Sequence, residues 1–161
     1  MNQTSSFQFH ALIEEDTKRL AQEIAKKVQA GNVITLDGDL GAGKTTFSQA
    51  FAKEMGITEI VNSPTFVLIK EYQGQELPLY HMDVYRLSIE EADELGLEEY
   101  FFGNGVCLVE WSSKVTELLP EHRLELYITH LGNQERKFEI TPKGELYVTW
   151  CEKLKNSGVI S

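Results

Sequence analysis

Positive charge is scarce in this sequence. Fifteen Lys and Arg face 25 Asp and Glu, a formal net charge of −10. A chain that grips nucleic acid by itself needs a positive surface, so any role beside a polyanion is expected to run through a partner. Only four arginines are present: Arg19, Arg86, Arg123 and Arg136. Cysteine is limited to Cys107 and Cys151, far apart, with Cys107 inside an apolar run. Both read as reduced, buried thiols of a reducing compartment. His10, His122 and His130 have no zinc-ligand spacing with them, and a lone His81 reads as a packed residue. No apolar run approaches the ~18 residues of a membrane span. The opening MNQTSSFQFH has neither the basic nor the apolar region of a secretory signal. A cytoplasmic protein is expected.

What is present suits one folded domain. The chain has 161 residues, 42% of them hydrophobic and 25% charged, enough to bury about 70% of the unfolded surface without a staple. The expected organisation is a single domain over residues 1–155 and a short tail, 156–161, with fraying from Lys155 onward. No repeat or linker interrupts it.

The hydrophobic pattern predicts a mixed-sheet α/β fold, P-loop NTPase-like, with helices on both faces. Phe7 and Phe9 alternate with polar residues as a short strand. Leu20, Ile24 and Val28 predict a helix over Asp16–Ala30, stopped by Gly31. Val33–Leu36 reads as a buried strand, and Phe47, Phe51 and Met55 define a helix over 44–55. Thr65–Tyr72 and Leu79–Val84 form a hairpin-like pair around Gln73-Gly74-Gln75-Glu76. Ser88 and Glu91 make a capping box for a helix ending at Gly96. Val106–Val109 is a buried strand. Alternation at Leu124, Leu126 and Ile128, and at Phe138 and Ile140, gives two strands flanking Gly132-Asn133. Leu146, Trp150 and Leu154 suggest a last helix, against the β-branched Val148 and Thr149.

The strongest chemical signal is Gly38-Asp39-Leu40-Gly41-Ala42-Gly43-Lys44-Thr45-Thr46. Its first eight residues match G-x-x-x-x-G-K-[ST], between a strand and a helix. The glycines let successive N–H groups curl inward as an anion nest. The helix start adds a positive dipole end. Lys44 supplies a point charge for the β- and γ-phosphates, and Thr45 a hydroxyl for Mg²⁺. A plain glycine turn that caps a helix is the bland alternative.

Such a loop needs a carboxylate on a neighbouring strand to help hold Mg²⁺. Glu110 ends the run Val106–Val109, at the strand edge where ligands of open α/β sheets bind. It is otherwise a solvated strand-end residue. Asp83, in His81-Met82-Asp83-Val84-Tyr85-Arg86, is costly among apolar neighbours unless paired or functional. It could orient water, accept a proton or reach Mg²⁺ through water; a structural pair with Arg86 or His81 explains it equally well. Asn62-Ser63-Pro64-Thr65 could reach a γ-phosphate as a switch segment does, or be a plain turn. Trp111 could cover the site or simply pack.

Three function classes compete. A GTPase is excluded by the lack of N-K-x-D; Asp93-Glu94-Leu95-Gly96 matches D-x-x-G only within a capped helix. A small-molecule kinase needs more phosphate-clamping arginines, and only Arg86 lies near a motif in sequence. A small ATPase serving partner proteins fits best, and a non-catalytic nucleotide-binding module remains an alternative.

Five segments in order, GDLGAGKTT (38–46), NSPTF (62–66), HMDVYRL (81–87), ELGLEEYF (94–101) and VEW (109–111), resemble the bacterial TsaE family. The likeness spans about residues 5–155. The resemblance implies an ATPase that binds Mg-ATP and supports TsaD and TsaB in making threonylcarbamoyladenosine in tRNA, touching tRNA only indirectly. It implies the phosphate-loop roles for Lys44 and Thr45, a metal role for Glu110, an active-site role for Asp83, a switch role for Thr65 and a site role for Trp111. One departure is local. Family members often follow V-E-W with a small residue or Pro and then an acidic residue, where this chain has Ser112-Ser113-Lys114.

Overall fold

The computed structural model describes residues 6–38, 43–61, 69–85 and 87–161. Seven strands form one mixed sheet: β1 (Phe7–Ala11), β2 (Val33–Gly38), β3 (Ile69–Gln73), β4 (Pro78–Asp83), β5 (Val106–Glu110), β6 (Arg123–Gly132) and β7 (Glu135–Lys143). Their spatial order is β1-β7-β6-β2-β5-β4-β3. Parallel pairs hold the centre: β2 lies between β5 and β6, and β4 runs parallel to β5. Antiparallel hairpins flank it, β3 with β4 on one side and β6 with β7 on the other, with β1 added to β7.

The helices are α1 (Glu14–Ala25), α2 (Lys44–Glu54), α3 (Ile89–Glu94), α4 (Leu97–Phe101) and α5 (Glu145–Asn156), with a 3₁₀ segment at Ser112–Leu118. Strand alternation sorts them. Ile34, Leu36, Leu108, Leu126 and Phe138 share one apolar cluster with Leu20 and Ile24 of α1, Phe47 and Phe51 of α2, and Trp150 and Leu154 of α5. Val33, Met82, Cys107 and Val109 point the other way, to Ala92, Leu97, Phe101 and Val115 of α3, α4 and the 3₁₀ segment. The centre of β2 and β5 is thus covered on both faces, which is why those strands read as unbroken apolar runs. Phe47 anchors α2 between Phe51 and Phe138, at ring separations of 6.1 and 5.9 Å.

Several expectations are refined. The first helix starts at Glu14, earlier than Asp16, because the Asp16 carboxylate accepts the N–H groups of Leu12 and Ile13 at 2.9 and 3.3 Å and so caps the turn. It ends at Ala25 rather than Ala30. The chain there turns toward β2, with Gln29 N–H donating to Asn32 Oδ1 at 2.6 Å. The Ser88–Glu91 capping box forms, but after Gly96 at φ +71° a separate helix, α4, buries Leu97 and Phe101. The last helix forms despite Thr149, whose hydroxyl donates to Glu145 O at 3.0 Å along its own helix. The strand expected over Thr65–Tyr72 is seen from Ile69; its first part lies outside the described residues. The tail is docked instead of frayed. Gln8 and Ser161 exchange two backbone hydrogen bonds of 2.8 Å, and Ile160 is buried.

Gly38 closes β2 at φ +147°, and a Cβ there would lie 2.5 Å from the Ile128 carbonyl oxygen on β6. Both the backbone angle and the neighbouring strand demand glycine. Gly38→Ala is therefore expected to destabilise the domain by at least about 2 kcal/mol, read as a lower Tm in calorimetry.

Candidate functional site

The site lies at the C-terminal ends of the parallel strands. β2 feeds the glycine-rich loop, whose residues 39–42 fall outside the described residues, and α2 begins at Lys44 behind Gly43 at φ +104°. Lys44 is only 7% exposed. Its Nζ donates to the Gly38 carbonyl at 2.6 Å and stands 3.9 Å above the centre of the Trp111 ring. A buried ammonium needs such partners. Thr45 is exposed in the first turn of α2, and Thr46 is half-buried beside it.

Asp83 and Glu110 are register partners at the ends of β4 and β5. They are 5% and 2% exposed. Parallel pairing puts both on the face that carries Leu108 and α2. Glu110 Oε2 is 2.5 Å from His81 Nε2, so the buried imidazole, two residues before Asp83, fixes the orientation of Glu110. His81 Nδ1 is buried without a partner among the described residues. The alternative in which His81 pairs with Asp83 is therefore not what forms. Asp83 Oδ1 instead accepts the Tyr85 N–H at 3.0 Å. Burial pushes the Asp83 carboxyl above its ordinary range; the Tyr85 N–H opposes that, and the nearby Glu110 adds to it. Tyr85 continues to Trp111, ring centres 4.7 Å apart.

The structure thus brings Lys44, Asp83, Glu110 and Trp111 together around the loop. Thr65 and Arg86 lie outside the described residues, as do Asp39, Leu40, Gly41 and Ala42. Asp93-Glu94-Leu95-Gly96 sits in α3 and the turn after it, not at a strand end. Two residues escaped the sequence reading. His81 was seen as packing; its alternation with Asp83, two residues on, was the available signal for a shared face. Arg136 had no sequence signal, because β6–β7 pairing alone places it there. A Cβ on Gly43 would fall 3.1 Å from Arg136 Nε. Arg86 is thus not the only arginine near a motif. Arg136 reaches the loop from the β6–β7 side, opposite β5 and β4 with their carboxylates.

The donor set suits Mg²⁺ with a nucleotide. The Thr45 hydroxyl and the Glu110 and Asp83 carboxylates are hard oxygen donors, and Lys44 adds a cation beside them. No cluster of three or more His, Cys, Asp or Glu forms a protein-only metal cage among the described residues, and Mg²⁺ on a substrate phosphate does not require one.

Fold and site together define a P-loop NTPase-like α/β protein. Residues 12–138 match the family model described as threonylcarbamoyl adenosine biosynthesis protein TsaE. A Bacillus subtilis protein named tRNA threonylcarbamoyladenosine biosynthesis protein TsaE is 52% identical over 147 residues, 91% of this chain and 92% of that one. A Treponema pallidum protein of the same name is 39% identical over 127 residues, 78% of this chain and 93% of the relative. The crystal structure of Bacillus subtilis YdiB superposes with a TM-score of 0.84 at 45% identity, covering 98% of this chain and 99% of that one. The chain belongs to the TsaE family, a component of tRNA threonylcarbamoyladenosine biosynthesis. Among the described residues no helix is long and apolar enough to cross a membrane.

The raised Asp83 pKa gives a signed prediction. The folded state holds this proton more tightly than the unfolded chain. The resulting stabilisation is complete below the unfolded carboxylate range and is lost as pH rises through the folded value. At neutral pH the buried charge is a net cost. Asp83→Asn, which keeps an acceptor for the Tyr85 N–H, is expected to raise Tm at pH 7 by roughly 2–4 °C. Thermal melts across pH should show that gain shrinking as pH falls through the folded value and vanishing below about pH 4.

Proposed function

We propose that this chain is an ATPase that binds and hydrolyses Mg-ATP in support of the TsaD–TsaB complex. The observation that carries the reading is the pair of buried carboxylates, Asp83 and Glu110, side by side at the ends of adjacent parallel strands. Glu110 sits on the strand beside the one that leads into a G-x-x-x-x-G-K-T loop, and Asp83 one strand further out.

In this reading the loop's N–H groups cradle the phosphates, with Gly38, Asp39, Leu40, Gly41, Ala42, Gly43, Lys44, Thr45 and Thr46 lining the nucleotide. Lys44 exchanges the Gly38 carbonyl for a phosphate oxygen. Thr45 and Glu110 would hold Mg²⁺, which would supply charge neutralisation at the phosphates. His81 keeps Glu110 from turning away. Asp83, held by the Tyr85 N–H, orients the attacking water and takes its proton; a carboxyl raised by burial is better suited to that than an ordinary one. The water oxygen bonds to the γ-phosphorus as the bond to the bridging oxygen breaks, and ADP leaves. Thr65 is assigned the γ-phosphate-sensing role. The sequence motifs supply no arginine finger, so turnover by the isolated chain is expected to be slow. With a net charge of −10, the chain leaves the tRNA grip to its partners.

Lys44→Ala is expected to cut ATP turnover by about a hundredfold or more while circular dichroism stays native. Unchanged turnover in the folded variant would sink the reading. Glu110→Ala and Asp83→Ala should differ in kind in a Mg²⁺ titration. The first should raise the Mg²⁺ requirement, and the second should lower turnover while ATP binding measured by calorimetry persists. Phosphoryl transfer to a small acceptor in the same assay would revive the kinase alternative. ATP binding without turnover, with and without the partner complex, would leave a non-catalytic module.

A further inference from the structure

One half-buried carboxylate has no part in that mechanism. Asp37 is the next-to-last residue of β2. Its neighbours Leu36 and Gly38 face α2, so Asp37 faces the opposite side, toward the 3₁₀ segment. Its Oδ2 accepts the Ser112 hydroxyl at 2.5 Å, while Oδ1 is buried without a partner among the described residues. Burial pushes its pKa up; the Ser112 hydroxyl and the Ser113 and Ser112 N–H groups favour the charged form. An acid in such a place costs stability unless its contact does something else.

The contact grips the turn that carries Trp111. Trp111 stands at φ +61°, ψ +35°, in the left-handed region. A bulky residue adopts that conformation only where its surroundings over-determine it. Two supports are visible. On one side Ser112 is tied to Asp37. On the other, the Trp111 ring packs on Tyr85, itself tied by its N–H to Asp83. The Trp111 ring in turn lies against Lys44, whose ammonium also binds the carbonyl of Gly38. The end of β2 therefore holds both partners of one contact: the Asp37 side chain holds the tryptophan turn, and the Gly38 carbonyl holds the lysine.

We propose that Asp37 is a positioning residue: by accepting the Ser112 hydroxyl it pins the turn after β5 and holds the Trp111 ring over the Lys44 ammonium. The consequence for ATP rests on the ATPase reading; the placement of Trp111 does not.

The chain has two tryptophans, so Trp150→Phe leaves Trp111 as the only one. In that background Asp37→Ala and Ser112→Ala remove the same hydrogen bond from opposite sides. Each is expected to make Trp111 more open to acrylamide quenching in a chain that still melts cooperatively. Asp37→Asn, which keeps an acceptor oxygen, should restore its shielding. In ATPase assays with the full chain, both alanine variants should raise KM for ATP roughly fivefold, with a smaller change in kcat. The double variant should be no worse than the worse single one. Unchanged Trp111 quenching in both folded alanine variants would overturn the proposal, as would effects of the two substitutions that simply add. If the parent chain hydrolyses no ATP, the ATPase reading fails, and the quenching series still decides the role of Asp37.

Discussion

A buried ammonium governs this site. Lys44 begins α2 almost out of solvent, where an unpaired charge would be prohibitively costly. Its partners include a backbone carbonyl at the end of β2 and the face of Trp111, and the Asp83 and Asp37 carboxylates lie within electrostatic reach. The first two have their own requirements. The carbonyl belongs to a glycine pressed against β6, and the tryptophan needs a left-handed turn after β5. A single cation thus ties together the two central parallel strands and the helix packed on one face of the sheet. These contacts are replaceable ones. Phosphate oxygens make stronger, charge-assisted hydrogen bonds to an ammonium than a neutral carbonyl does.

The mixed sheet divides labour along its width. The parallel centre aligns the C-terminal ends of β2, β4 and β5 at one edge, which is what juxtaposes the loop, Asp83 and Glu110. An antiparallel β4–β5 pair would have carried the two acids to opposite ends. The antiparallel half, β6, β7 and β1, supplies Arg136 on the other flank of the loop and receives the docked C-terminus. Within the acidic pair, environments differ although both side chains are buried. Glu110 is engaged by an imidazole, Asp83 by one backbone N–H, with burial raising its pKa. Such a division between neighbouring carboxylates lets one act as a ligand and the other as a base.

Much of the fold was legible in the residues themselves. Strand alternation, the i, i+4 repeat of α2, the Ser88–Glu91 box and the G-x-x-x-x-G-K-T spacing are local signals. They depend on neighbours a few residues away. The errors came where a distant or nonlocal contact decides: the end of α1, set by the approach to β2; α4, too short to show a period; and the C-terminus, held by pairing with β1.

By itself the sequence determined most of the elements, the phosphate-loop motif, and the ordered segments that place the chain with the TsaE family. It also picked out Lys44, Asp83, Glu110 and Trp111 as chemistry-bearing residues. Only the tertiary structure decided which of them touch. That His81 serves Glu110 rather than Asp83, that Arg136 lies against Gly43, and that Asp37 reaches Ser112 all follow from strand order and register. Register is set by the packing of two whole sheet faces at once. No short stretch of chain contains that information, so no short stretch could reveal it.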